Sequence, residues 1–393
     1  MLHDTCYMKI GIDIRTLMDA QYSGVSEYTY NLVKNLLEED TSTGSAHANE
    51  YSLFYNSFRN VDERIPKFEG NYKIVKTKYP NKIFNFLLQT IFKYPKLDKL
   101  LGVNVFIAPN IGFYTLSKKC KKILTIHDLS FLRYPEFFSW KRRLWHRVVN
   151  VKKQIKQFDK IVAVSENTKN DLIELCGVSK EKVEVIHSGI SENYKLQIAN
   201  DELEKIKNKY NLSDNFILYL GTVEPRKNIR SIIQAYNLLR VTCSMLRDYK
   251  LVIAGGRGWK SKNIHKEWKK SKYKNDIIFA GYIDDKDKPA LYNLATIFVY
   301  PSFYEGFGFP PLESLACGTP VVTSFASSLP EILGGTGIMI DPYNINGLAK
   351  AMEELLLNKE LRSDLREKGL EQVKKFNWKN TAKQYLDLIK ISE

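Results

Sequence analysis

Glu305-Gly306-Phe307-Gly308-Phe309-Pro310-Pro311-Leu312-Glu313 is the stretch on which the reading of this chain turns. Gly306 and Gly308 remove side chains where a backbone can press against a ligand. Pro310 and Pro311 suit the first turn of a helix, where a missing N–H is no loss, so Leu312 to Cys317 is predicted as a short helix with Gly318 placed to stop it. A glycine loop that leads into a helix N-terminus offers backbone N–H groups and the positive end of the helix dipole, and so favours phosphate. Glu305 precedes the loop and Glu313 follows it, so both carboxylates can face one ligand. A carboxylate repels phosphate, which makes sugar and ribose hydroxyls the natural partners of the two glutamates. The plainer alternative is an ordinary strand–turn–helix with a capping glutamate.

Outward from this segment, short apolar runs alternate with helix-like stretches, the pattern of an α/β protein with parallel sheets. Strands are predicted at 9–14, 51–55, 73–77, 105–108, 123–127, 160–165 and 183–187 in the first half. In the second half they fall at 216–220, 250–254, 277–280, 297–300, 321–323 and 338–340. A chain of 393 residues is too long for one ordinary core and suggests about two domains. The polar stretch 193–211 is read as the linker, giving an N-terminal domain over 1–195 and a C-terminal domain over 196–375. Residues 378–391 are amphipathic at helical spacing.

Composition excludes several classes. With 44% hydrophobic and 12% aromatic residues the chain is globular, not disordered. No apolar run reaches the roughly 18–20 residues that span a bilayer; the longest, 83–92, is interrupted by Asn85 and Gln89. Met1 to Tyr7 lack the basic start and apolar stretch of a signal peptide, and Met8 opens a strand at once, so Met8 is a candidate natural start. Cys6, Cys120, Cys176, Cys243 and Cys317 are scattered, with no disulfide framework or metal spacing, so a reducing cytoplasm is expected. The formal charge of +15 is compatible with nucleic acid, an anionic membrane or phosphate-bearing substrates. No zinc-finger spacing, RNP-like aromatic motif or helix-turn-helix pattern supports nucleic acid; a peripheral membrane enzyme that handles anionic donors fits better.

Glu-x7-Glu within Glu-Gly-Phe-Gly-Phe-Pro-Pro-Leu-Glu-Ser-Leu-Ala-Cys-Gly-Thr-Pro-Val-Val, residues 305–322, resembles the signature of the retaining, nucleotide-sugar-dependent glycosyltransferases of family 4. The likeness extends over nearly the whole chain. It implies the GT-B fold, two Rossmann-like domains facing each other across a cleft, with a final helix over 376–393 that packs back on the first domain through Phe376-Asn377-Trp378. It further implies that Glu305 meets the hydroxyls of the donor sugar, that Glu313 meets the ribose, and that the amides of Gly306, Phe307 and Gly308 face sugar and phosphate. Both glutamates acting as ionised acceptors, Glu305→Gln or Glu313→Gln is expected to weaken donor use without unfolding the protein.

The other motifs stand at strand ends, where ligands of open α/β sheets gather. Gly24 enters a helix after the loop Tyr22-Ser23; it is a turn glycine or, as the resemblance implies, part of a loop that meets the donor's pyrophosphate and the acceptor. His127-Asp128 follows a strand and is a structural hydrogen-bonding pair, or places His127 against the donor sugar as the resemblance implies, though not as a nucleophile. Ser165 contacts the acceptor or simply caps the next helix. Glu224-Pro225-Arg226-Lys227-Asn228 sets two cations after a buried strand, suited to a departing diphosphate; the resemblance makes Arg226 and Lys227 the phosphate-binding pair. Ala254-Gly255-Gly256-Arg257-Gly258 also ends a strand, and Tyr282 and Ile283 hold the position at which the family binds the base. Asp285-Lys286-Asp287 has an Asp-x-Asp pattern but sits on a charged loop and reads as solvated surface; no metal and no cofactor other than the nucleotide-sugar co-substrate is expected.

Residues 140–156 are predicted as one basic amphipathic helix, with Trp140, Leu144, Val148, Val151 and Ile155 on one face and Lys141, Arg142, Arg143, Arg147, Lys152 and Lys153 around it. The helix either packs on the core or lies on anionic lipid and brings a lipid-linked acceptor to the enzyme. The reading is a retaining glycosyltransferase that moves a hexose to a saccharide or lipid-linked acceptor, with mannose from GDP-mannose the first choice by similarity to bacterial surface-polysaccharide mannosyltransferases. Alternatives are a GT-B epimerase acting on UDP-GlcNAc and a non-catalytic scaffold for nucleotide or nucleic acid, against which the two glutamates argue because they would repel a polyanion.

Overall fold

The computed structural model describes residues 8–19, 23–42, 49–81, 83–194 and 197–390. Of the positions named above, Met1 to Tyr7 with Cys6, Tyr22 and residue 391 lie outside the described residues. Among the described residues, every predicted apolar run forms a strand. β1 (Lys9–Asp13), β2 (Glu50–Asn56), β3 (Tyr72–Thr77), β4 (Val105–Ala108), β5 (Lys121–Ile126), β6 (Lys160–Ala163) and β7 (Val183–Val185) make one sheet in the order β3-β2-β1-β4-β5-β6-β7. β8 (Phe216–Leu220), β9 (Lys250–Ala254), β10 (Ile277–Gly281), β11 (Ile297–Tyr300), β12 (Val321–Ser324) and β13 (Ile338–Ile340) make a second, in the order β10-β9-β8-β11-β12-β13. Every pairing is parallel.

Helices cover both faces of a parallel sheet, so its strands read as unbroken apolar runs. All five residues of β8, Phe-Ile-Leu-Tyr-Leu, are buried accordingly. The strand orders also fix where ligands can gather. In the second sheet the winding reverses between β8 and β11, which are neighbours in space though 76 residues, 221–296, separate them in sequence. The loops beyond their carboxyl ends part at that point and leave a crevice. The equivalent reversal in the first sheet lies between β1 and β4.

The chain forms two compact units. The first comprises 8–129, 142–189 and 377–390 of the described residues, the second 130–141 and 190–376. The chain thus passes from the first unit to the second at 189/190, ahead of the 193–211 stretch read as a linker, and the sequence reading did not foresee the short excursion at 130–141. Aromatic stacking explains the excursion: Phe137 stacks on Phe303 at 5.7 Å, Phe138 on Trp259 at 5.8 Å, and Tyr134 meets Tyr304 edge-on at 5.7 Å. The Trp259 indole N–H also donates to the Phe137 carbonyl at 2.6 Å.

Helix Trp378–Lys390 belongs to the first unit and buries Trp378, Ala382, Tyr385, Leu388 and Ile389. Its most specific anchor is polar. The Tyr385 hydroxyl lies 2.8 Å from that of Tyr28 and 2.6 Å from that of Thr125, a chain of three buried hydroxyls joining this helix to helix Gly24–Ser42 and to β5. Tyr385→Phe leaves the other two hydroxyls short of a partner, a penalty of about 1–3 kcal/mol. A urea titration of the full chain will show this as a lowered midpoint for the first unit with an unchanged slope.

The predicted single helix over 140–156 is in fact two, Trp140–Val149 and Val151–Gln157. Asn150 breaks it by adopting a left-handed conformation with φ of 49°, and its side chain caps the second helix by accepting from the Lys153 amide at 3.1 Å. The break divides the apolar face. Val151 and Ile155 are buried, whereas Trp140 is 64% exposed and Leu144, Trp145 and Val148 are also exposed. Core packing accounts for the second helix and not for the first.

Candidate functional site

In the second unit, the loops after β8 and β11 carry the motifs 224–228 and 305–313 to one crevice. After β8, Glu224 leads into a 3-10 turn Pro225–Lys227, and Asn228 closes it with φ of 56°. After β11 the chain runs through Glu305 to Gly308, whose φ of 118° opens helix Phe309–Ala316. Few residues but glycine tolerate that conformation, and a Cβ there would also press to 3.0 Å on Leu329. The helix begins three residues earlier than expected, with Pro310 and Pro311 inside its first turn.

Glu305 is buried among cations. Lys227 Nζ donates to its two oxygens at 2.6 and 2.8 Å, Arg226 Nη1 donates to Oε2 at 3.1 Å, and the Ser302 hydroxyl donates to Oε1 at 2.6 Å. Burial alone would raise its carboxyl; the Arg226 and Lys227 charges outweigh that and hold it at about 2. Lys227 also donates to the Tyr300 hydroxyl at 2.6 Å, and Arg226 donates to the Tyr304 carbonyl and pairs with the buried Glu224 at 3.0 Å. Burial pushes the Glu224 carboxyl up despite Arg226. Backbone on the far side is fixed as well: the Glu305 amide donates to Ser327 Oγ, and the Ser328 hydroxyl lies within hydrogen-bond reach of the Glu305 and Phe307 carbonyls.

Glu313 sits in helix Phe309–Ala316, 4% exposed, and accepts a 2.8 Å hydrogen bond from the Tyr292 hydroxyl. Burial pushes its carboxyl up, opposed by the Lys288 charge and the hydroxyls of Tyr292 and Tyr194. Two carboxylates of one motif are therefore tuned apart: Glu305 stays an anion, while Glu313 holds its charge less firmly.

Other predicted positions fare differently. Gly306 and Phe307 are buried in the loop, and Phe307 packs edge-on against Phe376 at 5.8 Å. Tyr282 stands 41% exposed just beyond β10, whereas Ile283 is buried in the core of the second unit, which leaves its side chain a packing role. Asp287 is not solvated surface: it is buried and accepts from Lys209 at 2.5 Å and Tyr210 at 2.8 Å. Among the described residues, no three His, Cys, Asp or Glu side chains gather as metal ligands.

In the first unit, Gly24 is the first residue of helix Gly24–Ser42. Tyr28, one turn on, meets the His127 ring edge-on at 4.7 Å. His127 follows β5, and its Nε2 lies 2.8 Å from the Pro109 carbonyl. A carbonyl only accepts, so Nε2 carries the proton; burial lowers the ring's basicity, which keeps it neutral and leaves Nδ1 an acceptor. Ser165 is fully buried and caps helix Glu166–Cys176 by accepting from the Thr168 amide at 3.1 Å, so the capping role accounts for it. The sequence reading passed over a further cluster at the end of β1. Asp13 takes three hydrogen bonds from the Arg15 guanidinium at 2.9–3.1 Å and one from Tyr114 at 2.9 Å, and Arg15 Nη1 donates to Asn85 at 2.9 Å. This set braces the 3-10 turn Arg15–Met18 that follows β1.

The buried pairing argues that Glu305→Gln costs stability as well as donor use. Removing the carboxylate strands Lys227 without a counter-charge, a loss of about 3–5 kcal/mol. Lys227→Met/Glu305→Gln is expected to recover part of that loss, and a double-mutant cycle by thermal melting measures the coupling. The pH dependence has a defined sign. Because the Glu305 carboxyl is depressed from 4.5 to about 2, its contribution, on the order of 3 kcal/mol, is fully present above pH 4.5 and lost as pH falls toward 2. The acid limb of the melting profile will be steeper in the wild type than in the double variant.

Comparisons with known proteins agree with this architecture. Residues 22–194 match Glycosyltransferase Family 4, and residues 200–372 match Glycosyl transferases group 1. O-antigen chain mannosyltransferase B of Escherichia coli is 33% identical over 379 residues, 94% of this chain and 96% of that protein. Serotype-specific mannosyltransferase WbdA of the same organism is 32% identical over 67% of this chain and 32% of its own length. The structure of Anabaena Alr3699/HepE in complex with UDP and glucose superposes with a TM-score of 0.72 at 16% identity, over 98% of this chain and 100% of that one. The chain therefore has the GT-B fold, with two Rossmann-like parallel sheets, and belongs to the glycosyltransferases of family 4, group 1.

Proposed function

We propose that this glycosyltransferase is a retaining mannosyltransferase that moves mannose from GDP-mannose to a saccharide or lipid-linked acceptor during surface-polysaccharide synthesis. The observation that carries the reading is the pairing of Glu305 with Arg226 and Lys227 at the crevice between β8 and β11, within a chain similar over nearly its full length to a mannosyltransferase. Glu305 accepts from the hydroxyls of the donor sugar, Glu313 from the ribose, and Arg226 and Lys227 are shared between Glu305 and the diphosphate. Gly24 and His127 keep the roles that the resemblance gives them, with His127 acting through its accepting Nδ1. In the reaction the bond from the anomeric carbon to the diphosphate oxygen breaks and the acceptor oxygen bonds to the same face. The acceptor's proton goes to the leaving diphosphate, whose charge the two cations offset. Donor binding needs no metal on this reading.

Melting of the full chain with GDP, UDP, dTDP and ADP, each with and without Mg²⁺, tests the donor. A rise with GDP alone, indifferent to Mg²⁺, is the expected result. A rise with UDP instead overturns the mannose assignment, and no rise with any of the four overturns the donor site. Glu313→Gln keeps an acceptor for the Tyr292 hydroxyl, so it is expected to melt within about 1 kcal/mol of wild type while the GDP shift shrinks.

No helix among the described residues is long and apolar enough to cross a membrane. Helix Trp140–Val149 instead exposes Trp140, Leu144, Trp145 and Val148 beside a run of basic residues, the composition of a helix that lies in an anionic lipid interface. We assign it to peripheral attachment at the cytoplasmic membrane face. Co-sedimentation should increase with the anionic fraction of the vesicles and fall in Trp140→Ala/Leu144→Ala; binding that ignores anionic lipid rules the assignment out.

A further inference from the structure

The second unit contains a cavity of about 950 Å³ that the donor reading does not use. Its lining includes four cations, Arg230, Arg257, Lys260 and Lys262, and one carboxylate residue, Glu136. Neither Arg226, Lys227 nor either motif glutamate lines it. The separation follows from the 3-10 turn after β8: Pro225 faces the cavity, while Arg226 and Lys227 are drawn to Glu305.

Local structure builds the cationic wall deliberately. The loops after β8 and β9 are zipped together by a parallel bridge between Val223 and Arg257, with the Val223 amide donating to Gly256 at 2.9 Å and the Gly258 amide to Val223 at 3.1 Å. Gly255 makes that approach possible, since a Cβ there would stand 2.0 Å from the Gly221 carbonyl oxygen. Arg257 is thereby fixed beside the Pro225 turn, and its guanidinium makes a long contact, 3.4 Å, to the Ser261 hydroxyl. Lys260, held with φ of 53°, donates to the Glu136 backbone carbonyl at 2.6 Å and so leaves the charge of the wall unreduced. Of the four lining cations, Arg230 is the one matched by a carboxylate among the described residues, Glu267 at 3.2 Å. Hydroxyl and amide groups of Ser231, Gln234 and Asn263 complete the lining. Concentrating like charges around one concave space is unfavourable unless an anion shares it.

We propose that this cavity is a second anion site, which binds a phosphate-bearing ligand separate from the donor's diphosphate. It rests on the donor reading above only in calling the two sites separate. The phosphate belongs either to the acceptor or to a free anion, and the experiment distinguishes them.

Inorganic pyrophosphate is titrated calorimetrically into the full chain, first alone and then with whichever nucleoside diphosphate raises the melting point present at saturation. Pyrophosphate is expected to bind in both cases. R257E/K262E, at two exposed positions, should weaken it at least tenfold and leave the nucleotide-induced melting shift intact, whereas R257K/K262R should retain it. Pyrophosphate binding that the nucleotide abolishes, or that R257E/K262E leaves unchanged, overturns the proposal. If no nucleotide binds, the donor reading falls, and the titration without nucleotide still reads the cavity. Transfer assays then identify the source. A tenfold higher KM in R257E/K262E for a diphosphate-linked saccharide, but not for the same saccharide without diphosphate, makes the acceptor the ligand; equal KM values alongside lost pyrophosphate binding make it a free anion.

Discussion

Burying a lysine, an arginine and a glutamate together is costly unless each charge is met at contact distance, and the crevice of the second unit meets that condition. Lys227 and Arg226 come from one strand end, Glu305 from the next. The contact therefore does more than neutralise charge. It sets the spacing of the loops after β8 and β11, and with it the position of Gly306 to Gly308 and the start of helix Phe309–Ala316. Ser302 on one side and Ser327 and Ser328 on the other hold the same loop, so the carboxylate has little freedom to relocate. A site that must present hydroxyl acceptors and phosphate donors within one ligand's length needs this stiffness before the ligand arrives.

The same cluster raises a question of charge. Arg226 and Lys227 are balanced by Glu224 and Glu305, so a diphosphate meets no net attraction from these four side chains as they stand. On the donor reading, two features tip the balance. The N-terminal turn of helix Phe309–Ala316, which carries no acidic residue, adds positive potential. Burial also pushes the Glu224 carboxyl up against the pull of Arg226 and Lys227, so Glu224 is a less firmly held counter-charge than Glu305.

Much of this was legible in the sequence, for identifiable reasons. Strands of a parallel sheet are apolar on both faces, so 216–220 and 250–254 announce themselves and match the observed bounds. Pro310 and Pro311 marked a helix start to within a turn, because proline has few other places to go, although the helix begins at Phe309 and not at the predicted Leu312. What stayed hidden depended on contacts across sequence. The pairing of Arg226 and Lys227 with Glu305 requires β8 to lie beside β11, and strand order is set by the winding of the sheet rather than by local pattern. The separation of the carboxyl properties of Glu305 and Glu313 has the same origin. Asn150 was readable in principle, since asparagine tolerates left-handed backbone, but the apolar periodicity on both sides masked it. Segment 130–141 gave a weaker signal still: its cluster of Tyr134, Phe137 and Phe138 reads as core, and only the partners Phe303, Tyr304 and Trp259 reveal which core.

The split at Asn150 bears on where the enzyme works. A continuous helix over 140–157 would carry its apolar residues along one stripe, and one packing surface would cover them all. Breaking it lets Val151 and Ile155 bury while Trp140, Leu144, Trp145 and Val148 remain at the surface. Leaving these four side chains about half exposed forfeits roughly 1 kcal/mol of burial for each aliphatic group, and adjoining apolar residues of this kind mark a surface that something covers. The surrounding Lys141, Arg142, Arg143 and Arg147 restrict what that something is. On the peripheral-membrane reading proposed above, an anionic lipid interface takes the rings into its headgroup layer and the basic side chains toward its phosphates. On the proposed reading of a lipid-linked acceptor, the same contact raises the local concentration of acceptor.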